Sequence, residues 1–185
     1  MNSIDNMIEI TFIRHTRVAV PPGTCYGWTD VPLADTFEEE ASEVKRQLQD
    51  MRFDCTYTSP LTRARRLADY CGYRNAIVDD RLKEMNMGEW EMQRYDEIRD
   101  EALQKWYDDY MHLPATGGES FPMLRKRVAE FIDELRMKPH HHVGVFTHAG
   151  VIVSAGLYSG LFEEANAFSH QPGYGGVLRI LLSQK

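Results

Sequence analysis

Apolar and polar residues nearly alternate along IEITFI (8–13), the period-two pattern of a strand. The period then changes. Over TFEEEASEVKRQLQ (36–49), Phe37, Ala41, Val44 and Leu48 recur at spacings of four, three and four, one face of a helix. Thr36 and Glu39 are spaced as a capping box at its start. CTYT (55–58) predicts a short strand, and SPLTRARRLADYCG (59–72) a second helix, with Ser59 as N-cap, Pro60 at the first helical position and Gly72 as the stop. AIV (76–78) reads as a strand, and residues 94–110 carry a weaker helical pattern around Ile98, Leu103, Trp106 and Tyr110. In ESFPMLRKRVAEFIDELRM (119–137), Phe121, Leu124, Val128, Phe131 and Leu135 form one apolar stripe of a long helix. HVGVFT (142–147) predicts a buried strand, AGVIVSAGLYSG (149–160) an apolar helix and GVLRILL (176–182) a closing strand.

Strands that alternate with helices imply parallel pairing with helices on both faces. The expected fold is therefore α/β, a three-layer α/β/α sandwich with a mostly parallel central sheet. The length of 185 residues and the lack of repeats, linkers or low-complexity tracts predict a single domain over 1–185. In such sheets ligands bind beyond the carboxyl ends of the strands.

Composition narrows the partners. The hydrophobic content of 43% supplies a core, and the net charge of −7 argues against nucleic acid or an acidic membrane as the main partner. It leaves room for a local basic pocket. No run approaches the ~20 apolar residues of a membrane helix. MNSIDNMIEI, at the start of the chain, has no basic stretch followed by an apolar one, so no secretory signal is expected. Cys25, Cys55 and Cys71 are odd in number and lack metal-type spacing. They predict free thiols in a reducing cytoplasm.

Chemistry gathers at strand ends. In FIRHTR (12–17), Arg14 and His15 emerge where the first strand stops, and a core strand has no use for them. FTHAG (146–150) repeats the layout: a strand, then His148, then Ala149 and Gly150 opening a helix whose backbone N–H groups suit an anion. Arg63 lies in the first turn after Ser59-Pro60, whereas Arg65 and Arg66 read as solvated. Two arginines and two histidines converging with helix N-termini describe a phosphate site. His140, His141 and His142 enter a strand, where neighbours point alternately, so a shared metal ion is not expected. Trp90 and Trp106 read as core more readily than as substrate contacts, while Tyr26 and Trp28 are evenly balanced.

The stretches RHT, SPLTRARR, KEMNMGEWE, TGGESF and FTHAG, in this order between about residues 8 and 182, resemble the histidine phosphatase superfamily in its phosphoglycerate-mutase-like branch. Within the branch, GEWEM, GGESF followed by RV, and the compact length are most similar to α-ribazole-5′-phosphate phosphatases. The resemblance implies that His15 is the nucleophile that becomes phosphohistidine, that Arg14, Arg63 and His148 surround the phosphate, and that Glu84 protonates the leaving oxygen. Without that resemblance Glu84, Glu89 and Glu91 would all read as surface charges. The implied chemistry fits the residue types. Arginine offers fixed donors to the charge on a phosphoryl group in transfer. A histidine nucleophile must be neutral, and neighbouring arginines favour that form. Glu84 must hold a proton, and the same carboxylate then activates water against the phosphohistidine. No metal or other cofactor is required.

The expected activity is phosphomonoester hydrolysis on a small-molecule phosphate ester, with α-ribazole 5′-phosphate, a precursor of the cobalamin nucleotide loop, as first substrate. A broad sugar or nucleotide phosphatase is the nearest alternative. A mutase, which in this family carries longer insertions over the site, and a silent phospho-ligand binding module stand further off. A homodimer is common in proteins of this resemblance.

The chain also departs from the pattern. Thr16 stands where the family has glycine, so its hydroxyl becomes a candidate phosphate contact. VAVPPGTCYG (18–27) lacks the family's usual asparagine, and Thr29 is the candidate replacement. Ala149 replaces glycine beside the second histidine, as a further candidate contact.

Overall fold

A computed structural model describes residues 6–185. Five strands form one sheet: β1 (Met7–Arg14), β2 (Cys55–Thr58), β3 (Ile77–Val78), β4 (His142–Thr147) and β5 (Val177–Ser183). Five α-helices intervene: α1 (Phe37–Gln47), α2 (Thr62–Tyr70), α3 (Glu101–Asp108), α4 (Phe121–Arg136) and α5 (Ala149–Tyr158). The strand order is β3-β2-β4-β1-β5. The first four run parallel, and β5 closes one edge antiparallel to β1. This is the expected sandwich with a mostly parallel sheet.

Alternation along the strands builds the layers. Ile8, Ile10 and Phe12 of β1 and Val143 and Val145 of β4 pack with Leu124, Val128 and Phe131 of α4 and Val151 and Ile152 of α5. The opposite face offers Ile13 and Phe146 to Phe37, Ala41 and Val44 of α1 and Leu67 and Ala68 of α2. Gly144 faces the ring of Phe53 so closely that a Cβ would lie 2.8 Å from it. A third cluster, with Met87, Trp90, Ile98 and Leu103, packs under α3 beyond the sheet.

Three local expectations change. The hydroxyl of Thr36 donates to Glu40 Oε1 at 2.6 Å and makes no cap bond, so the Thr36–Glu39 box does not form. α2 starts at Thr62, not after Ser59. Its first turn is held by Asp30, which accepts from Thr62 N–H at 2.9 Å and from the Thr62 hydroxyl at 2.6 Å. The helix expected over 94–110 shortens to Glu101–Asp108, because Asp100 caps it by accepting from Ala102 N–H at 2.8 Å. Among the described residues no helix is long and apolar enough to cross a membrane.

Ile10 sits fully buried at the centre of β1, between β4 and β5. Ile10→Ala is expected to cost about 2–5 kcal/mol of stability through the cavity it leaves, read as a lower midpoint in urea unfolding. A loss under about 1 kcal/mol would show that the strand repacks around the gap.

Candidate active site

Register delivers the central residues. β1 pairs with β4 so that Arg14 faces Thr147, and β4 pairs with β2 so that Phe146 faces Thr58. The next residues on the three adjacent strands are His15, His148 and Ser59. All three are buried, and the rings of His15 and His148 lie 5.2 Å apart.

His15 Nδ1 lies 2.7 Å from the Thr16 carbonyl, which can only accept, so Nδ1 carries the proton and Nε2 keeps its lone pair. His148 Nε2 lies 2.8 Å from Ser59 Oγ. Leu61 N–H donates to the same oxygen at 3.3 Å, leaving the Ser59 hydroxyl proton free to donate to His148. That arrangement makes Nδ1 the proton-bearing nitrogen of His148. Ser59, expected to be a helix cap, is instead the group that orients this ring.

Two guanidinium groups share the pocket. Arg14 donates through Nη1 to the Pro172 carbonyl at 2.7 Å and lies 4.3 Å from the Tyr174 ring centre. Arg63 is fully buried and donates to the carbonyls of Thr29 (3.0 Å) and Gly27 (2.6 Å). Among the described residues neither arginine has a carboxylate within 4.0 Å. Arg14 Nε, Arg63 Nε, Thr16 Oγ1 and His148 Nδ1 are buried without a hydrogen-bond partner among the described residues. Native proteins rarely orphan such groups. Unmet donors and uncompensated positive charge at one place suit a tetrahedral anion.

The same surroundings keep the imidazoles neutral. Burial, then the charge of Arg63 and of Arg14, lowers the pKa of His15 to about 3, against the bond to the Thr16 carbonyl, which raises it. Burial, then Arg63 and His15, holds His148 well below the ordinary histidine value. The direction expected from the arginines is found, with burial as the larger cause.

Glu84 reaches the site from the segment after the Asp80–Leu82 turn. Its carboxylate accepts from its neighbour Met85 N–H at 2.8 Å and from Gly150 N–H at 3.0 Å. Gly150 therefore serves Glu84 and does not present its N–H to an anion. A Cβ at residue 150 would collide with the Glu84 carboxylate, which explains the glycine. Arg127 braces this segment, donating to the carbonyls of Arg81 and Lys83 (both 2.7 Å) and of Glu84 (2.9 Å) while paired with Glu119 at 2.9 Å.

Glu91 is not a surface charge. Its carboxylate accepts from the N–H groups of Gly27 (2.9 Å), Trp28 (2.7 Å), Thr29 (3.3 Å) and Met87 (3.1 Å) and from the Thr29 hydroxyl (2.8 Å). Burial pushes the Glu91 carboxyl up, but the Gly27 N–H, the Thr29 hydroxyl and the Trp28 and Met87 N–H groups together hold it below the ordinary range. Thr29 thus departs from its expected place. Its hydroxyl is spent on Glu91, and only its carbonyl serves the pocket, through Arg63. Glu89, Arg65 and Arg66 are exposed, as read from the sequence.

Beside Glu84 and Ala149 opens a cavity of about 380 Å³ walled by Met85, Tyr95, Trp106, Tyr110, Phe121 and Phe168. Tyr26 and Gln171 border it, and no lysine or arginine does. Tyr26 also approaches Arg63, and its hydroxyl lies 3.3 Å from that of Tyr174. Trp90 is core, with Nε1 donating to Asp100 at 2.8 Å, whereas Trp106 faces this cavity. Trp28 is exposed and packs against Lys83. Among the described residues no three His, Cys, Asp or Glu side chains gather as a metal site.

The family model of the histidine phosphatase superfamily (branch 1) matches residues 10–181. The chain is 25% identical over 162 residues to phosphoserine phosphatase 1 of Hydrogenobacter thermophilus, an overlap of 84% of this chain and 76% of that one. It is 25% identical over 170 residues to a protein named probable phosphoglycerate mutase from Erwinia tasmaniensis, covering 87% and 78%. The solved structure of the α-ribazole phosphatase from Shigella flexneri superposes with a TM-score of 0.82 at 23% identity, covering 96% of this chain and 95% of that one. At that identity the likeness establishes a shared fold.

Two predictions follow from this geometry. The unfolded chain protonates histidine near pH 6.5 while native His15 resists until about pH 3. The unfolded state therefore binds more protons below pH 6.5, and stability falls as pH drops from 6.5 toward 5, by up to about 1.4 kcal/mol per pH unit for each buried imidazole. Urea unfolding of the wild type and of a His15→Gln/His148→Gln variant should show the steeper pH dependence in the wild type. Equal slopes would mean that the imidazoles are not held neutral. Glu91→Gln sets an NH2 group against backbone donors, which should release the 27–29 loop and weaken binding of inorganic phosphate about tenfold or more, an effect of 1.5–3 kcal/mol. Calorimetric titration measures it, and unchanged affinity would separate Glu91 from Arg63.

Proposed function

The chain belongs to branch 1 of the histidine phosphatase superfamily, and as a phosphoric monoester hydrolase we propose that it works through a phosphohistidine at residue 15. The ester phosphate docks among Arg14, Arg63, Thr16 and His148, whose orphaned buried atoms support this placement. Arg14 and Arg63 spread their charge over the equatorial oxygens, and His148 Nδ1–H donates to one of them. Ala149 borders the path to the cavity. His15 Nε2 attacks phosphorus, and the bond to the ester oxygen breaks. The Thr16 carbonyl, already bonded to Nδ1–H, stabilises the positive charge that develops on the ring. Glu84 gives a proton to the departing oxygen. Water then attacks the phosphoryl group, Glu84 takes its proton, the N–P bond breaks, and phosphate leaves neutral His15 behind. None of these steps requires a metal ion.

The aromatic cavity carries the choice of substrate. A group leaving toward Glu84 enters a space walled by aromatic and methionine side chains with no cation among them. Phosphoserine and phosphoglycerate carry a carboxylate on the leaving group, and such a site would bury it unpaired at a cost of several kcal/mol. A flat apolar heterocycle on a ribose is accommodated by stacking. α-Ribazole 5′-phosphate, with its dimethylbenzimidazole, is the substrate this reading favours, consistent with the motifs it shares with that group of phosphatases. The free cysteines accord with work in a reducing cytoplasm.

Purified protein should hydrolyse p-nitrophenyl phosphate with undiminished rate in EDTA, and His15→Ala should lower that rate by about a thousandfold or more. The kcat/KM for α-ribazole 5′-phosphate should exceed that for phosphoserine by about a hundredfold or more, the reach of one unpaired buried charge. A reversed preference would overturn the substrate assignment, and loss of activity in EDTA the metal-free mechanism.

A further inference from the structure

Arg127 of α4 spends its whole guanidinium inside the protein. Its five N–H bonds meet Glu119 Oε1 and Oε2, both at 2.9 Å, and the carbonyls of Arg81, Lys83 and Glu84 at 2.7, 2.7 and 2.9 Å. Arg14 and Arg63, by contrast, each keep an unmet Nε among the described residues. A guanidinium with no donor to spare holds other groups and does not take a ligand. Glu119 completes the clamp. Its Oε2 also accepts from Asn86 N–H at 2.8 Å, and its own N–H donates to the Asn86 carbonyl at 2.8 Å. The two side chains are 15% and 12% exposed, so water replaces these bonds poorly. What they hold is residues 83–87, a stretch without helix or strand that carries Glu84.

We propose that Arg127 and Glu119 are positioning residues for proton delivery: together they fix the backbone on both sides of Glu84 and so set the aim of its carboxylate at the departing oxygen. This inference rests on the function proposed above, in which Glu84 is the proton donor. Support of a loop needs no particular centre, yet this clamp is centred on residue 84. It takes the carbonyls of Lys83 and Glu84 before the bend and both backbone groups of Asn86 after it. The Glu84 carboxylate accepts from Met85 N–H, which moves with the same stretch, and from Gly150 N–H, which belongs to α5. Its distance from the pocket is therefore set by where the clamp places the backbone. A reacting group misplaced by about 1 Å can cost about a hundredfold in rate. The nucleophile is carried separately. His15 follows β1, which none of these bonds reaches, so loss of the clamp strikes the acid and spares the attack.

Leaving-group dependence separates this role from general support of the fold. Phenyl phosphate needs a proton donor for its leaving oxygen, whereas 2,4-dinitrophenyl phosphate releases a stable anion without one. The quantity read is the ratio of kcat/KM for the dinitrophenyl ester to that for the phenyl ester, which covers the steps up to loss of the phenol. In Glu84→Gln this ratio should rise about a hundredfold or more, the reach of general acid catalysis. Arg127→Lys keeps the charge but loses the fork that serves a carboxylate and three carbonyls at once. It should raise the ratio about tenfold or more, through a misplaced donor. Glu84→Gln/Arg127→Lys should show no higher ratio than Glu84→Gln alone, because both changes act through one group. An unchanged ratio in Arg127→Lys, with both esters slowed equally or not at all, overturns the inference, as does a double variant whose ratio is the product of the single effects. Where Arg127→Lys does not fold, Glu119→Gln must raise the ratio in the same way, and an unchanged ratio there overturns the inference equally. An unchanged ratio in Glu84→Gln instead removes Glu84 as the proton donor, and this inference with it.

Discussion

The parallel register of β2, β4 and β1 is the constraint on which the site depends. Because Arg14 faces Thr147 and Thr58 faces Phe146, three neighbouring strands end within one residue of the same level. The residues that follow, Ser59, His148 and His15, then emerge side by side at the carboxyl edge of the sheet. A slip of one residue in β1 would turn the Ile8, Ile10 and Phe12 face away from α4 and α5, so the core itself enforces the placement of His15.

Charge is arranged around that placement with unusual economy. Arg14 and Arg63 are held by backbone carbonyls and not by carboxylates, so their positive charge stays available. The carboxylates nearby act on the scaffold. Glu91 gathers the 27–29 loop that holds Arg63, Asp30 ties the same loop to α2, and Glu119 pairs with the arginine that braces Glu84. For the phosphate proposed to dock there, such a pocket is preorganised, the condition under which electrostatic stabilisation is most effective.

Much of this was legible in the sequence. Period alone located every strand to within a residue or so, because buried strands and amphipathic helices leave strong repeats. Arg14, His15 and His148 stood out because such residues at strand ends have no use in a core, and Arg63 because it sits in the first turn of the helix that follows β2. What escaped was non-local. Ser59 carries the composition of a helix cap, and nothing in its neighbourhood reveals that His148 lies at the end of the adjacent strand. Glu91 looks like a surface charge until the loop sixty residues earlier in the chain folds onto it, and that loop claims the Thr29 hydroxyl. Trp106 has the spacing of a core residue, and only the folded chain shows that it borders the cavity beside Glu84.

The central claim, that the imidazole at residue 15 carries the phosphoryl group, is open to direct observation. Enzyme mixed for milliseconds with phosphorus-labelled ester and quenched in alkali, where an N–P bond survives, can be digested and its labelled peptide sequenced. The account predicts label on His15, lost on brief acid treatment. Label on any other side chain, or substrate turnover with no labelled protein at any reaction time, would contradict it.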